Sequence, residues 1–141
     1  MGVELDQVPE VLPLGKGELL RQGTDVALVV IGATVHQAVT AAERLGQEGI
    51  SVAAINARFV KPLDGELLGT VAKQAKCLLT VEEGSAMGGF GSAVLEFLSG
   101  EGLLVNLQAK CVGLPDWFIE QGPQDMLRAV SYTHPEPTRP Y

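Results

Sequence analysis

Short apolar runs alternate along this chain with longer stretches in which apolar residues recur every third or fourth position. Asp25-Val-Ala-Leu-Val-Val-Ile31 and Ile50-Ser-Val-Ala-Ala-Ile-Asn56 are continuous and rich in β-branched residues, the pattern of strands buried on both faces. Residues 77–81 and 103–112 read as two more strands. Between the first two, Val35, Ala38, Ala42 and Leu45 share one face of a helix. Thr34 is placed to cap it, and Gly46 and Gly49 to stop it. Pro62 and Asp64 mark the start of a second helix running to about Lys76. A third helix is expected over 91–98, closed by Gly100 and Gly102, and a short last one over 123–130. Ahead of these elements, residues 8–23 carry turn signals and one short edge strand near 15–20.

Strand and helix alternate at βαβ spacing, so the pattern predicts an α/β fold with a mainly parallel sheet and right-handed crossovers. Residues 1–130 are expected to form one domain. Residues 131–141 hold three of the eight prolines and no apolar face, so a disordered tail, foreign to the natural domain, is expected there.

Composition narrows this picture. Hydrophobic residues make up 46% of the chain and charged ones 19%, enough for a packed core. The net charge of -7 argues against a nucleic-acid surface, which needs a basic face. Cys77 and Cys111 lie in or beside apolar runs and form no CxxC pair, so buried free thiols are expected. With two histidines in all, a His-rich metal site is excluded. No apolar run is long enough for a membrane span. The first residues, Met-Gly-Val-Glu-Leu-Asp, lack the regions of a signal peptide and the Ser or Thr of a myristoylation motif. The expected location is cytoplasmic.

Candidate chemistry centres on Leu78-Leu-Thr-Val-Glu-Glu-Gly-Ser-Ala-Met-Gly-Gly-Phe-Gly91, a strand, an acidic pair and a glycine-rich turn into a helix. Successive backbone N–H groups at a helix start attract phosphate. Yet no Walker lysine follows, the glycines do not fit the dinucleotide fingerprint, and Glu82 and Glu83 put two negative charges on the rim. Three readings of the loop stand: a tight turn, a subunit contact involving Gly88, Gly89 and Gly91, or a small-ligand site. Adjacent strand residues point to opposite faces, so Glu82 and Glu83 are not expected to converge as an acid–base pair. One is expected to cap a nearby backbone donor. Arg58 and Lys61 form a basic pair on the same edge, expected to bridge Glu82, Glu83 or a partner carboxylate, with an anion clamp as the alternative. His36 is expected as a partly exposed helix residue. Trp117-Phe-Ile119 concentrates apolar area in a turn, buried either in the core or at an interface. No Ser/His/Asp set, Cys/His pair or metal-ligand spacing is present, and the chain on its own does not read as catalytic.

Four stretches together resemble a known family. Asn56-Ala-Arg-Phe-Val-Lys-Pro-Leu-Asp64, Thr80-Val-Glu-Glu83, Gly88-Gly-Phe-Gly-Ser-Ala-Val-Leu-Glu96 and Gly113-Leu-Pro-Asp-Trp-Phe-Ile119 are similar to the carboxyl-terminal domain of 1-deoxy-D-xylulose-5-phosphate synthases, with Pro13-Leu-Gly-Lys-Gly-Glu18 resembling its start. The looser pattern also resembles the last domain of transketolases and of 2-oxo acid dehydrogenase β subunits. The resemblance covers about residues 3–129. It implies a three-layer fold with a mixed sheet of about five strands, largely parallel with one antiparallel edge, and helices on both faces. It further implies a full-length enzyme that uses thiamine diphosphate and magnesium to condense pyruvate with glyceraldehyde 3-phosphate. The catalytic histidines, the cofactor-activating glutamate and the phosphate-binding arginine of that enzyme lie in preceding domains and map onto no residue here. The implied role is a structural and dimerisation domain that binds no cofactor itself. Its candidate contact residues are Arg58, Lys61, Glu82, Glu83, Gly88, Gly89, Gly91 and Trp117. Two other functions stand beside it: a regulatory small-ligand module, and a separately encoded subunit of a split enzyme.

Overall fold

The buried runs of the chain become the inner strands of one sheet. In the computed structural model, residues 11–116 are described, together with 118, 121–123 and 126. Trp117, most of the expected last helix and the proline-rich tail lie outside the described residues. In chain order the elements are β1 (Glu18–Arg21), β2 (Val26–Val30), a 3-10 turn (Gly32–Thr34), α1 (Val35–Gln47), β3 (Val52–Asn56), α2 (Gly65–Gln74), β4 (Cys77–Ser85), α3 (Phe90–Gly100) and β5 (Gln108–Leu114).

The five strands lie in the order β1-β3-β2-β4-β5. β3, β2, β4 and β5 are mutually parallel, and β1 runs antiparallel along the outer edge of β3. Strand periodicity then assigns the two faces. Ala27, Val29, Ala53, Ile55 and Leu78 meet Leu68 and Val71 of α2 and Phe90, Val94 and Leu98 of α3. The alternate residues Leu28, Val30, Val52 and Ala54 meet Ala38 and Ala42 of α1. Small alanines on both sides let each helix lie close to the sheet, and the result is the expected three-layer mixed fold.

Several boundaries differ from the sequence reading. β4 runs four residues beyond Val81, to Ser85, with a register irregularity against β5 over that extension. β5 begins at Gln108 rather than near Leu103, because Leu103, Leu104 and Leu107 fill the core beneath α2 and α3 from a turn. Gly46 stays inside α1, where a Cβ would press on the Arg21 guanidinium at 2.6 Å, and the turn falls to Gly49 at φ +86. Thr34 does sit at the N-cap position of α1, but its side chain caps nothing there. Its hydroxyl instead donates backwards to the Ile31 carbonyl at 2.8 Å.

Two aspartates tie the elements together. Asp25 Oδ1 holds the Lys76 ammonium at 2.7 Å, and Oδ2 accepts the Ser51 N–H at 2.8 Å. The lysine first and the amide second keep the Asp25 carboxyl below its ordinary value. Asp64 caps α2, accepting the Leu67 N–H at 3.1 Å, and also accepts the Gly17 N–H at 3.0 Å. Burial pushes its carboxyl up, but those two amides and the Lys16 ammonium outweigh it and the net direction is down. A carboxylate with a lowered folded pKa stabilises the fold above its unfolded value, and the contribution is lost as pH falls through the folded one. Urea midpoints are therefore expected to hold steady down to about pH 5 and to drop below the ordinary aspartate value of 3.8. Asp25→Asn and Asp64→Asn should each flatten that drop. Unchanged slopes in both variants would refute the assignment.

Candidate functional site

The glycine-rich loop sits at the carboxyl end of the sheet, the edge where open α/β folds place their ligands. Helix α3 starts there at Phe90, and its first N–H groups have no partner within the helix. Two of them are taken by one side chain of the same chain. Glu82 Oε2 accepts the Phe90 N–H at 2.9 Å, and Oε1 accepts the Gly91 N–H at 2.8 Å. Glu82 is 5% exposed. Because β4 continues past Val81, Glu82 shares the face of Leu78 and Thr80, beneath α3, and so reaches the helix start.

The glycines explain themselves around this carboxylate. A Cβ on Gly84 would stand 2.8 Å from Glu82 Oε2, and one on Gly89 would press on both carboxylate oxygens. Gly88 takes φ +71, a turn conformation that suits glycine. Gly91 packs α3 onto the sheet, since its Cβ would lie 2.6 Å from Cys111 Sγ and closer still to Thr80 Oγ1. Thr80 is fully buried, and its hydroxyl has no hydrogen-bond partner among the described residues. The rest of the loop is tied internally: Ser92 Oγ accepts the Gly88 N–H at 2.9 Å, and the Ala86 N–H donates to the Leu114 carbonyl at 2.9 Å. Met87 is exposed at the tip.

Glu83 takes the other face. Its carboxylate lies 3.9 Å from where a Cβ on Gly32 would stand, beside the 3-10 turn that leads into α1. The two acids are thus separated by the sheet, as the strand geometry requires, and they form no acid–base pair.

Arg58 needs a correction of partner. It pairs with Glu18 of β1 at 2.6 Å, rather than with Glu82 or Glu83. Asn56 Oδ1 accepts its N–H at 3.1 Å, and its backbone is left-handed at φ +58. Nothing near it in sequence signals Glu18, which reaches it only because β1 pairs with β3. Lys61 is exposed on the same loop, and His36 is exposed on α1. Cys77 and Cys111 are free, as expected, though both are half-buried rather than buried.

The arrangement can do little chemistry. The donors that would hold a diphosphate at α3 are already bonded to Glu82, whose negative charge would repel one. Among the described residues no group of three or more His, Cys, Asp or Glu side chains could hold a metal ion. The described residues of this edge do not fit thiamine diphosphate or its magnesium. No helix of the described residues is long and apolar enough to cross a membrane.

A three-layer fold whose sheet has one antiparallel edge, with a self-capped glycine turn, defines a domain class, and a family comparison agrees. The family model described as "Transketolase, C-terminal domain" matches residues 15–136, and the chain belongs to that family. Within it, the chain is 50% identical over 128 residues to 1-deoxy-D-xylulose-5-phosphate synthase 1 of Geobacter sulfurreducens, covering 91% of this chain and 20% of that protein. The corresponding protein of Geobacter metallireducens is 52% identical over the same shares, and the synthase of Halothermothrix orenii is 46% identical over 129 residues. The chain spans about a fifth of the length of these curated relatives. A solved structure titled "Split gene transketolase, inactive beta4 tetramer" superposes with a TM-score of 0.74 at 37% identity, over 84% of this chain and 39% of that one.

Proposed function

We propose that this chain is the carboxyl-terminal structural and dimerisation domain of a 1-deoxy-D-xylulose-5-phosphate synthase, and that it does not catalyse by itself. The observation that carries the reading is the half identity to such synthases across 91% of the chain. The self-capped start of α3 supports the second half, because it turns the one ligand-like loop into a packing turn. In this reading the other domains of the parent hold thiamine diphosphate and magnesium and join pyruvate to glyceraldehyde 3-phosphate with loss of carbon dioxide. This domain packs against them and adds to a homodimer contact, and the whole acts in the cytoplasm. The exposed Val60, Lys61 and Met87 at the carboxyl edge supply contact side chains.

A chimera tests both halves. The matched last fifth of the Geobacter sulfurreducens synthase is replaced by this chain, and turnover of pyruvate with glyceraldehyde 3-phosphate is measured. The chimera is expected to be active, and the chain alone, given the cofactor and magnesium, inactive. Turnover by the chain alone, or a folded chimera without activity, would overturn the proposal.

A further inference from the structure

The segment that leads into β1 is held in an unusual way. Residues 11–17 form no helix or strand, and their large apolar side chains do not join the core. Val11 is 90% exposed and Leu14 76%. What fixes the segment is polar and close to the backbone. The Lys16 N–H closes a turn onto the Pro13 carbonyl at 3.3 Å, with Gly15 left-handed at φ +70. Gly15 rests on the Pro62 ring, where a Cβ would stand 2.7 Å from Cγ. The Gly17 N–H then donates to Asp64 Oδ2 at 3.0 Å, and Lys16 Nζ sits 3.7 Å from Asp64 Oδ1 and 3.0 Å from Glu66 Oε2.

Asp64 therefore does two jobs with one carboxylate, whose side chain is 9% exposed. One oxygen caps α2 through Leu67, and the other holds the incoming backbone at Gly17. Apolar burial gives a segment large and cooperative protection, whereas a few polar contacts at the surface can open locally while the rest stays folded. Between the sheet core of Val29, Ile55 and Leu78 and this latch, the apolar link is the Leu67 side chain beneath Gly17.

We infer that residues 11–17 are a releasable strap, latched to the domain by Asp64, that can swing free while the sheet and α2 remain intact. When it opens, Leu12 and Leu14 leave with it, and the approach of the polypeptide to the carboxyl edge is no longer fixed. The strap is a joint, set by one carboxylate, between the domain and whatever adjoins that edge.

Amide hydrogen exchange on the full chain tests this, residue by residue, in rising low concentrations of denaturant. The Gly17 amide is expected to exchange through a local opening at least about tenfold more often than the amides of Val29 and Ile55. Asp64→Ser isolates the latch, because serine is a good N-cap for α2 but offers one short neutral acceptor in place of two charged oxygens. In that variant Gly17 should lose about tenfold or more of its protection beyond any uniform loss shared by Val29, Ile55 and Val71. Trypsin should also cut after Lys16 correspondingly faster. Gly17 opening together with the sheet in the parent chain would overturn the inference, and so would unchanged protection of Gly17 in Asp64→Ser.

Discussion

Glu82→Ala is expected to cost the domain about 3 kcal/mol and to lower its melting midpoint by roughly 10 °C. The substitution removes an acceptor of two charge-assisted hydrogen bonds and leaves the Phe90 and Gly91 N–H groups buried without partners. Loss of a cap alone accounts for about 1–2 kcal/mol. The remainder is the desolvation cost of the stranded donors, which water cannot reach beneath α3. A domain of this size has roughly 5–15 kcal/mol in hand, so the variant should still fold. Glu82→Gln keeps one good acceptor and should lose about half as much. Thermal melts followed by circular dichroism check both variants. A midpoint for Glu82→Ala equal to the parent's would show that the carboxylate is not the cap.

The second large effect is expected at Gly91, where two rules point in opposite directions. Glycine inside a helix costs about 1 kcal/mol relative to alanine, so Gly91→Ala should stabilise α3 on propensity alone. The added Cβ, however, would lie 2.6 Å from Cys111 Sγ and 2.9 Å from Cys111 Cβ, and nearer again to Thr80 Oγ1. Both neighbours stand on strands of the sheet and cannot swing aside. Overpacking at such a site costs about 1–3 kcal/mol and occasionally more, so a net loss of about 2 kcal/mol is expected. Cys111→Ala removes the Sγ contact and leaves those with Thr80 Oγ1 and the residue 111 Cβ, so it relieves part of the clash. The double variant Gly91→Ala/Cys111→Ala should therefore recover about 1 kcal/mol relative to the sum of the single changes. Urea unfolding of the four proteins measures that coupling, and simple additivity would show that the contact does not decide the cost.

Much of the architecture was legible because burial writes itself into the chain at strand and helix spacing. Val26–Val30 and Val52–Asn56 are apolar on both faces, and only inner parallel strands need that. Asp64 was legible as a helix start for the same local reason. What stayed hidden was non-local. Glu82-Glu83-Gly84 looks like the end of a strand, yet pairing with β5 carries β4 on to Ser85 and so decides which face Glu82 meets. The apolar run from Leu103 looks like a strand, but its leucines were needed as a plug under two helices. The partner of Arg58 lies 40 residues away and is set by the antiparallel edge. In the loop itself, the acidic rim argued against phosphate from the sequence alone. The carboxylate's occupation of the helix start, which gives that argument its geometry, needed the fold.

The reversed direction of β1 has a topological consequence. Because Glu18 stands opposite Asn56 and β5 closes its ladder at Leu114, β1 begins and β5 ends at the same end of the sheet. Four strand spacings separate those two termini, about 19 Å. The opposite end, built of the turns around Gly49 and Gly102, holds neither of these strand termini, so a label or an inserted loop placed there would stand clear of the carboxyl edge.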